Sequence, residues 1–205
     1  MSRTDAGDET DGLLAEDWLA DLRRVPAIRG VLAGGAAWLV GYVLTAGLFY
    51  VGPATLRAGS TVERLRGIGL IFYNAQFVDG VETLSAGELQ ETVRFNLILE
   101  QTATSVPAPV YFAIPVVALL AAGAAVGYLT LDPGAEYTTF PLVGIALAVG
   151  YLPLAIAGVF VAELAVGWSL GTIVLEPDLL TAAAFGFVYP FVVGTVGAVV
   201  GAVLG

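Results

Sequence analysis

The sequence predicts an all-α membrane protein, a bundle of four transmembrane helices with a small extramembrane segment between helices 1 and 2. Of its 205 residues 58% are hydrophobic and 13% are charged, against about 45–50% and about 25% in an ordinary globular domain. The mean hydropathy is +0.86. Four apolar runs are each long enough to cross a hydrocarbon core of roughly 30 Å. We therefore expect the chain to lie in a bilayer of the cell membrane as a multi-pass protein.

The four apolar runs give the boundaries of the predicted helices. The spans are residues 28–52, 109–131, 140–163 and 179–204. The third run is less clean, because between Phe140 and Leu175 only Glu163 interrupts it. Residues 164–178 either continue one tilted helix or fold back along the membrane surface, and the glycines and tryptophan of Gly167, Trp168 and Gly171 favour an interfacial segment.

Residues 53–108 form the one sizeable segment between spans. Ser85 and Glu88 have the spacing of a capping box, which would start a helix there. Residues 93–99 alternate apolar with polar side chains, which is typical of a strand. The two patterns conflict, so the secondary structure of this segment stays open.

Residues 1–27 form an acidic tail without the features of a signal peptide. Leu14, Trp18 and Leu22 recur at helical spacing, so the tail contains a short amphipathic helix that lies either on the membrane or against solvent or a partner. The arginines on the two sides of the first span are equal in number, so the positive-inside rule gives no orientation. Because an acidic tail without a signal is most easily left in the cytoplasm, we expect both termini there.

The charged residues exclude several classes of protein. The chain has 18 acidic residues and eight basic ones, all arginine, with no histidine or cysteine and a net charge of −10. Mutual repulsion of the acids is screened by high salt, which indicates a salt-adapted cell. No basic patch exists for nucleic acid. The zinc sites and catalytic pairs that need cysteine or histidine are impossible, so we expect no enzyme activity, metal or cofactor. Ser169 lies in a Gly-Trp-Ser-Leu-Gly pattern but lacks a histidine or lysine base.

Small residues recur at four-residue intervals in the predicted spans. In lipid, helices associate where small residues let backbones approach closely. Packing within one chain is the first interpretation, and self-association through the last helix is the alternative. The candidate packing residues are Gly34, Gly41, Gly123, Gly127, Gly197 and Gly201.

Two prolines in the middle of spans, Pro153 and Pro190, each follow a tyrosine closely, Tyr151 and Tyr189. A proline inside a helix frees a carbonyl, and broken helices of this kind hold ions or substrates in transporters. The alternative is a kink that serves packing alone. Pro115 is expected in the first turn of the second span, where proline is tolerated.

Glu163 is the only acid inside an apolar run, which makes it a candidate relay for a proton or cation. It follows Pro153 by about 15 Å of helix. If Pro153 is central, Glu163 therefore reaches the membrane surface as a solvated acid, which is the interpretation we favour.

The segment Phe72-Tyr73-Asn74-Ala75-Gln76-Phe77 resembles a stretch after the first membrane helix in a family of uncharacterised haloarchaeal multi-pass membrane proteins. The proline and small residues of the second span resemble that family too, so the resemblance covers roughly residues 30–130. It implies membrane location and a haloarchaeal source but no activity. Histidine usually stands there at the position of Gln76, so a titrating role does not transfer. The aromatic residues are expected to form a packing patch over the helix ends.

Two functions remain compatible with these patterns. The first is a non-enzymatic membrane scaffold that binds a partner, either a second copy or another membrane protein. The second is a small oligomeric transporter or channel that uses the kinked helices 3 and 4. A water-filled path shared by Tyr151, Tyr189 and Glu163 would favour transport, and a dry interior would favour the scaffold.

Overall fold

Five α-helices and four β-strands make up the part of the chain that the structure, a computed structural model, describes: residues 27–51, 60–87, 89–100, 106–132, 134–168 and 171–205. The helices are α1 (Ala27–Val51), α2 (Thr61–Asn74), α3 (Ala108–Thr130), α4 (Thr139–Ala162) and α5 (Leu179–Leu204). The strands are β1 (Gly80–Ala86), β2 (Leu89–Phe95), β3 (Leu164–Trp168) and β4 (Gly171–Pro177). The predicted amphipathic helix of the tail falls outside the described residues.

The prediction of an all-α four-helix bundle is wrong, because the chain also forms a four-stranded antiparallel sheet and a fifth helix. The strand order is β2-β1-β4-β3. The central pair joins Gly80 to Pro177 and Ser85 to Thr172, residues about ninety positions apart. Partners that far apart cannot be read from either segment alone. The residues predicted as an interfacial stretch, 164–178, form the hairpin β3–β4. Ser85 lies in β1 and starts no helix.

Four of the helices, α1, α3, α4 and α5, are long and apolar enough to cross a membrane, as expected. α1 packs on α3 and α4, and α5 packs on the same two helices, which gives a four-cornered bundle. α1 and α4 end, and α3 and α5 begin, on the side of the bundle where the sheet lies; we call this the sheet end and the opposite side the far end. At the far end, Arg29 of α1 donates to the carbonyl of Leu129 at the end of α3.

Between the far end and the middle of the bundle, neighbouring helices touch through glycines. A Cβ on Gly34 would overlap the carbonyl oxygen of Leu147, and one on Gly150 would overlap that of Val31. Gly123, Gly127 and Gly201 make the same kind of backbone contact between α3 and α5. Small residues permit this approach, which brings many atoms into van der Waals contact.

Pro115 is the eighth residue of α3 and is buried, so the prediction that it occupies the first turn is wrong. Pro109 holds that position instead, because the helix begins one residue earlier, at Ala108. A proline at the first turn removes an N–H that has no helical partner.

The short helix α2 was not predicted. It begins with a capping box in which the Glu63 N–H donates to Ser60 Oγ (3.2 Å) and the Ser60 N–H donates to Glu63 Oε2 (3.1 Å). The Ser-x-x-Glu signal was therefore present in the sequence, at Ser60 rather than at Ser85.

The end of α2 is a tight turn in which Phe77 has a positive φ of 62°. The Val78 N–H donates to the Tyr73 carbonyl and the Phe77 N–H to the Asn74 carbonyl, both at 3.1 Å. This is the Schellman pattern, in which glycine is the usual residue. The Phe77 ring stacks on Phe112 of α3 with centroids 4.7 Å apart, which helps to hold the strained residue in place.

Candidate functional site

The candidate site lies where the C-terminal half of α2 enters the bundle between α1 and α4. All residues from Gly67 to Asn74 are buried. Gly41 of α1 leaves room for the Phe72 ring, because a Cβ there would lie 2.9 Å from Phe72 Cε2. A Cβ on Gly69 would lie 2.9 Å from Ala162 at the end of α4. The glycines therefore open the space that α2 occupies.

Gln76 and Tyr151 form the central contact of the site. The Tyr151 hydroxyl donates to Gln76 Oε1 over 2.6 Å, and the two side chains are 1% and 2% exposed respectively. Gln76 Nε2 in turn donates to the carbonyl of Phe72 (3.2 Å). A buried amide and a buried phenol would each be unfavourable in an apolar interior without such partners. The pair thus joins the end of α2 to the middle of α4.

Tyr73 makes a second connection between the same helices. Its hydroxyl donates to the carbonyl of Ala155 on α4. Gly158 provides the space, since a Cβ there would overlap the Tyr73 hydroxyl and lie 2.7 Å from Trp38 Cζ2. Two tyrosines, one from each helix, therefore fix α2 against α4.

Asn74 ties the turn after α2 to the segment after β2. Its Nδ2 donates to the carbonyl of Val78 (2.8 Å), and its Oδ1 accepts the N–H of Leu97 (2.9 Å). Asn96 closes the neighbouring turn through its Oδ1, which accepts the N–H groups of Ile98 and Leu99, both at 3.1 Å. These amides supply partners for backbone groups that lie outside helix and sheet.

Trp38 of α1 completes the lining. Its indole is perpendicular to the Phe72 ring, with centroids 5.4 Å apart, and is stacked with Tyr42 at 6.0 Å. Among the described residues, Trp38 Nε1 is the one buried side-chain donor or acceptor with no hydrogen-bond partner. The other polar side-chain atoms of the site bond to one another or to backbone carbonyls, and these contacts join α2 to α4.

Of the residues predicted for an ion or substrate path, the structure brings two together. Tyr151 and Tyr189 belong to one apolar cluster with Ala118, Leu119 and Ala155. Pro190 is buried in α5, whereas Pro153 is exposed on the outer surface of α4. Glu163 is exposed just after α4 ends. It lies twelve residues beyond Tyr151, about 18 Å along a helix, and so does not share the tyrosine cluster.

The glycines predicted for helix packing all lie at close contacts within the chain. Gly41 faces Phe72, and the other five face carbonyl groups of neighbouring helices. Gly197 and Gly201, at the end of α5, face the carbonyls of Leu120 and Ala124 on α3. Those two glycines are consequently covered by α3 and are not free to pack against a second copy.

Asp178 links the sheet to α5. Its carboxylate accepts the Thr181 N–H at the start of α5 (2.9 Å) and pairs with Arg94 of β2 (2.9 Å). The Thr181 N–H, helped by the Thr181 hydroxyl and Arg94, lowers the pKa of Asp178 below its usual 3.8, although partial burial acts in the opposite direction. Among the described residues no group of three or more acidic side chains is placed to hold a metal ion.

Sequence reasoning assigned the aromatic residues of the 72–77 segment to packing but did not identify its polar residues as partners of α4. The available signal was composition. Asn74 and Gln76 are the only polar amides in the run from Gly67 to Val78, and such side chains in an apolar run need buried partners.

The comparisons with known proteins place the chain in a family. No curated protein and no solved structure matches it. A model for a family of unknown function, DUF7978, matches residues 18–205, which includes every helix and strand described above. The chain therefore belongs to DUF7978, a family whose function is unknown.

Proposed function

We propose that the protein is a non-enzymatic scaffold that spans the cell membrane four times and binds a partner through its sheet. The observation that carries the proposal is the sheet at one end of the bundle, whose edge strands β2 and β3 are largely exposed. Among the described residues, β2 and β3 each pair on one side only, so both edges of the sheet carry free backbone groups. Edges of this kind accept a further strand.

The exposure of the strands supports this choice of surface. The apolar side chains of Val93 in β2 and Val166 in β3 are each about half exposed. Burial decreases from the bundle toward the hairpin tips, since Gly80 and Pro177 are buried whereas Gly87 is exposed. The sheet thus projects from the bundle and leaves its tips accessible.

The interior of the bundle argues against transport. The polar side chains of the interior are bonded to one another or to backbone, as in Gln76, Tyr151 and Tyr73. Glycine contacts bring neighbouring helices together. A permeation path needs polar groups that face water or the substrate. Glu163, the candidate relay, lies outside the interior.

The test compares complexes extracted from native membranes in mild detergent. Val93→Arg and Val166→Arg place a charge on each edge strand, and Thr172→Arg, on an exposed position of the central strand β4, is the matched control. We expect the wild type and the control to migrate as a complex larger than the monomer, and at least one of the edge variants to migrate as the monomer. Wild-type protein that migrates only as a monomer contradicts the proposal.

A second measurement addresses the transporter alternative. Wild type and Glu163→Gln are reconstituted into vesicles that contain a pH-sensitive dye or a K⁺-sensitive dye. If the protein is a scaffold, vesicles with either protein should be as impermeable to H⁺ and K⁺ as vesicles without protein. A wild-type flux that Glu163→Gln abolishes, with the variant still folded, would make the transporter the leading function.

A further inference from the structure

With α1 and α4 crossing a membrane, as their length and composition allow, the first half of α2 would lie at the lipid boundary, because its second half is fixed inside the bundle. Phe72 contacts Gly41, ten residues before the end of α1, and Tyr73 bonds Ala155, seven residues before the end of α4. These contacts are about 15 Å and about 10 Å inside the respective helix ends. The Tyr42 hydroxyl also donates to the carbonyl of Leu65 (3.0 Å), which holds the first half beside α1.

The outward face of this half is amphipathic. Val62, Leu65 and Arg66 are spaced i, i+3 and i+4, so they lie on one side of the helix. All three are exposed, with Val62 at 59% and Leu65 at 43%. A helix with this pattern at a membrane surface directs its apolar side chains into the acyl region, while arginine extends its charged end to the headgroups.

The charges on α2 are unusual for this chain. The protein has a net charge of −10, yet the guanidinium groups of Arg64 and Arg66 make no ion pair or hydrogen bond with any of the residues that the structure describes. The other two described arginines do have partners, Arg94 in Asp178 and Arg29 in the Leu129 carbonyl. A guanidinium near lipid favours an anion that can accept two parallel hydrogen bonds, as a phosphate group does.

We propose that the outward face of α2, formed by Val62, Leu65 and Arg66 with Arg64 beside it, binds the phosphate headgroup of an anionic membrane lipid. The apolar pair contacts the acyl chains of that lipid, and Arg66 contacts its phosphate. Arg64 on the neighbouring side strengthens the local positive potential. The lipid would stabilise α2 at the place where it enters the bundle.

The test measures lipid retention by the purified protein in detergent. Phosphatidylglycerol and phosphatidylcholine with the same acyl chains are added in turn, and bound lipid is counted by native mass spectrometry. We expect the wild type to retain phosphatidylglycerol in preference to phosphatidylcholine. Arg66→Gln should lower the affinity for phosphatidylglycerol about five-fold, as expected for one basic residue at a membrane surface, and Arg66→Lys should restore part of it.

Arg94→Gln is the matched control, because it removes one arginine from the sheet and leaves α2 unchanged. It should retain phosphatidylglycerol as the wild type does, and an equal loss would show that net charge rather than α2 determines retention. Equal retention of both lipids by the wild type would overturn the proposal. So would undiminished retention of phosphatidylglycerol by the folded double variant Arg64→Gln/Arg66→Gln.

Discussion

The two ends of the bundle are assembled by different interactions. From the far end to the middle of the bundle, Gly34, Gly150 and Gly201 let backbones touch, and the contact consists of van der Waals packing. At the sheet end, α2 separates α1 from α4 and is held by aromatic rings and by the hydroxyls of Tyr73 and Tyr151. Backbone contacts tolerate no added atom, whereas a side-chain network loses one bond at a time. Substitutions at the glycine contacts should therefore lower the free energy of unfolding most.

The largest effect is expected for Gly150→Ala, in the middle of α4 where that helix touches the start of α1. The new Cβ would overlap the Val31 carbonyl oxygen, so α1 and α4 must move apart, at a cost of about 1–3 kcal/mol or more in the free energy of unfolding. Gly47→Ala, whose Cβ would meet nothing within 4 Å, is the control and should be neutral or slightly stabilising. Unfolding of both variants in mixed micelles measures the difference. Equal stability of the two would show that α1 and α4 are not packed through this glycine.

A smaller loss is expected for Tyr151→Phe at the sheet end. The change removes the bond to Gln76 and should lower the free energy of unfolding by about 0.6–1.7 kcal/mol, the range for hydrogen bonds between membrane helices. Tyr128→Phe, an exposed tyrosine of α3, is the matched control and should change nothing. A double-mutant cycle with Gln76→Leu measures the coupling directly. Strict additivity of the two substitutions would mean that the pair does not interact.

Asp178→Ala should lower stability by about 1 kcal/mol, because the carboxylate caps α5. The folded-state pKa of Asp178 lies below its ordinary value of 3.8. The contribution is therefore complete above pH 3.8 and is lost as the pH falls through the lower folded value. Melting curves of wild type and variant should converge in acid. Asp132→Ala, which removes an exposed acid at the far end, should leave the stability unchanged, and a gap between wild type and Asp178→Ala that persists in acid would contradict the assignment.

Lowering the salt concentration should destabilise the sheet end more than the far end. The described part of the sheet end carries eight acids against the three arginines Arg64, Arg66 and Arg94, so its like charges repel one another. From molar salt to about 0.1 M the screening length grows from about 3 Å to about 10 Å, which strengthens this repulsion. Hydrogen exchange of detergent-solubilised protein should therefore accelerate in the strands at low salt and change little at the far end. Equal rates in the strands at both salt concentrations would contradict this prediction and weaken the case for a salt-adapted protein.

The smallest effect is expected for Glu163→Gln. The side chain is exposed after the end of α4, and a solvated carboxylate makes few contacts that folding requires. The free energy of unfolding of this variant should stay within about 0.5 kcal/mol of the wild type. Thermal melts in detergent test this, and a larger loss would mean that Glu163 has a structural partner that α4 or the sheet supplies.

The sequence by itself determined where the apolar helices lie. Composition and length were enough for the four candidate spans, because an apolar run longer than about 18 residues has few other structures available to it. The close-contact glycines were also visible as four-residue repeats. The predicted boundaries agree with the helices to within one or two residues at most ends, since Pro109 and Asp178 mark where α3 and α5 begin.

Only the tertiary structure decided how the segments between the spans combine. β1 and β4 pair across about ninety residues, and Gln76 meets Tyr151 across seventy-five. Neither contact can be predicted locally, because the alternation of a strand or the presence of an amide in an apolar run does not indicate which distant residue is its partner. The insertion of α2 depends on space that Gly41, Gly69 and Gly158 provide together. Such a space is a property of three helices at once, and for that reason no single segment of the sequence revealed it.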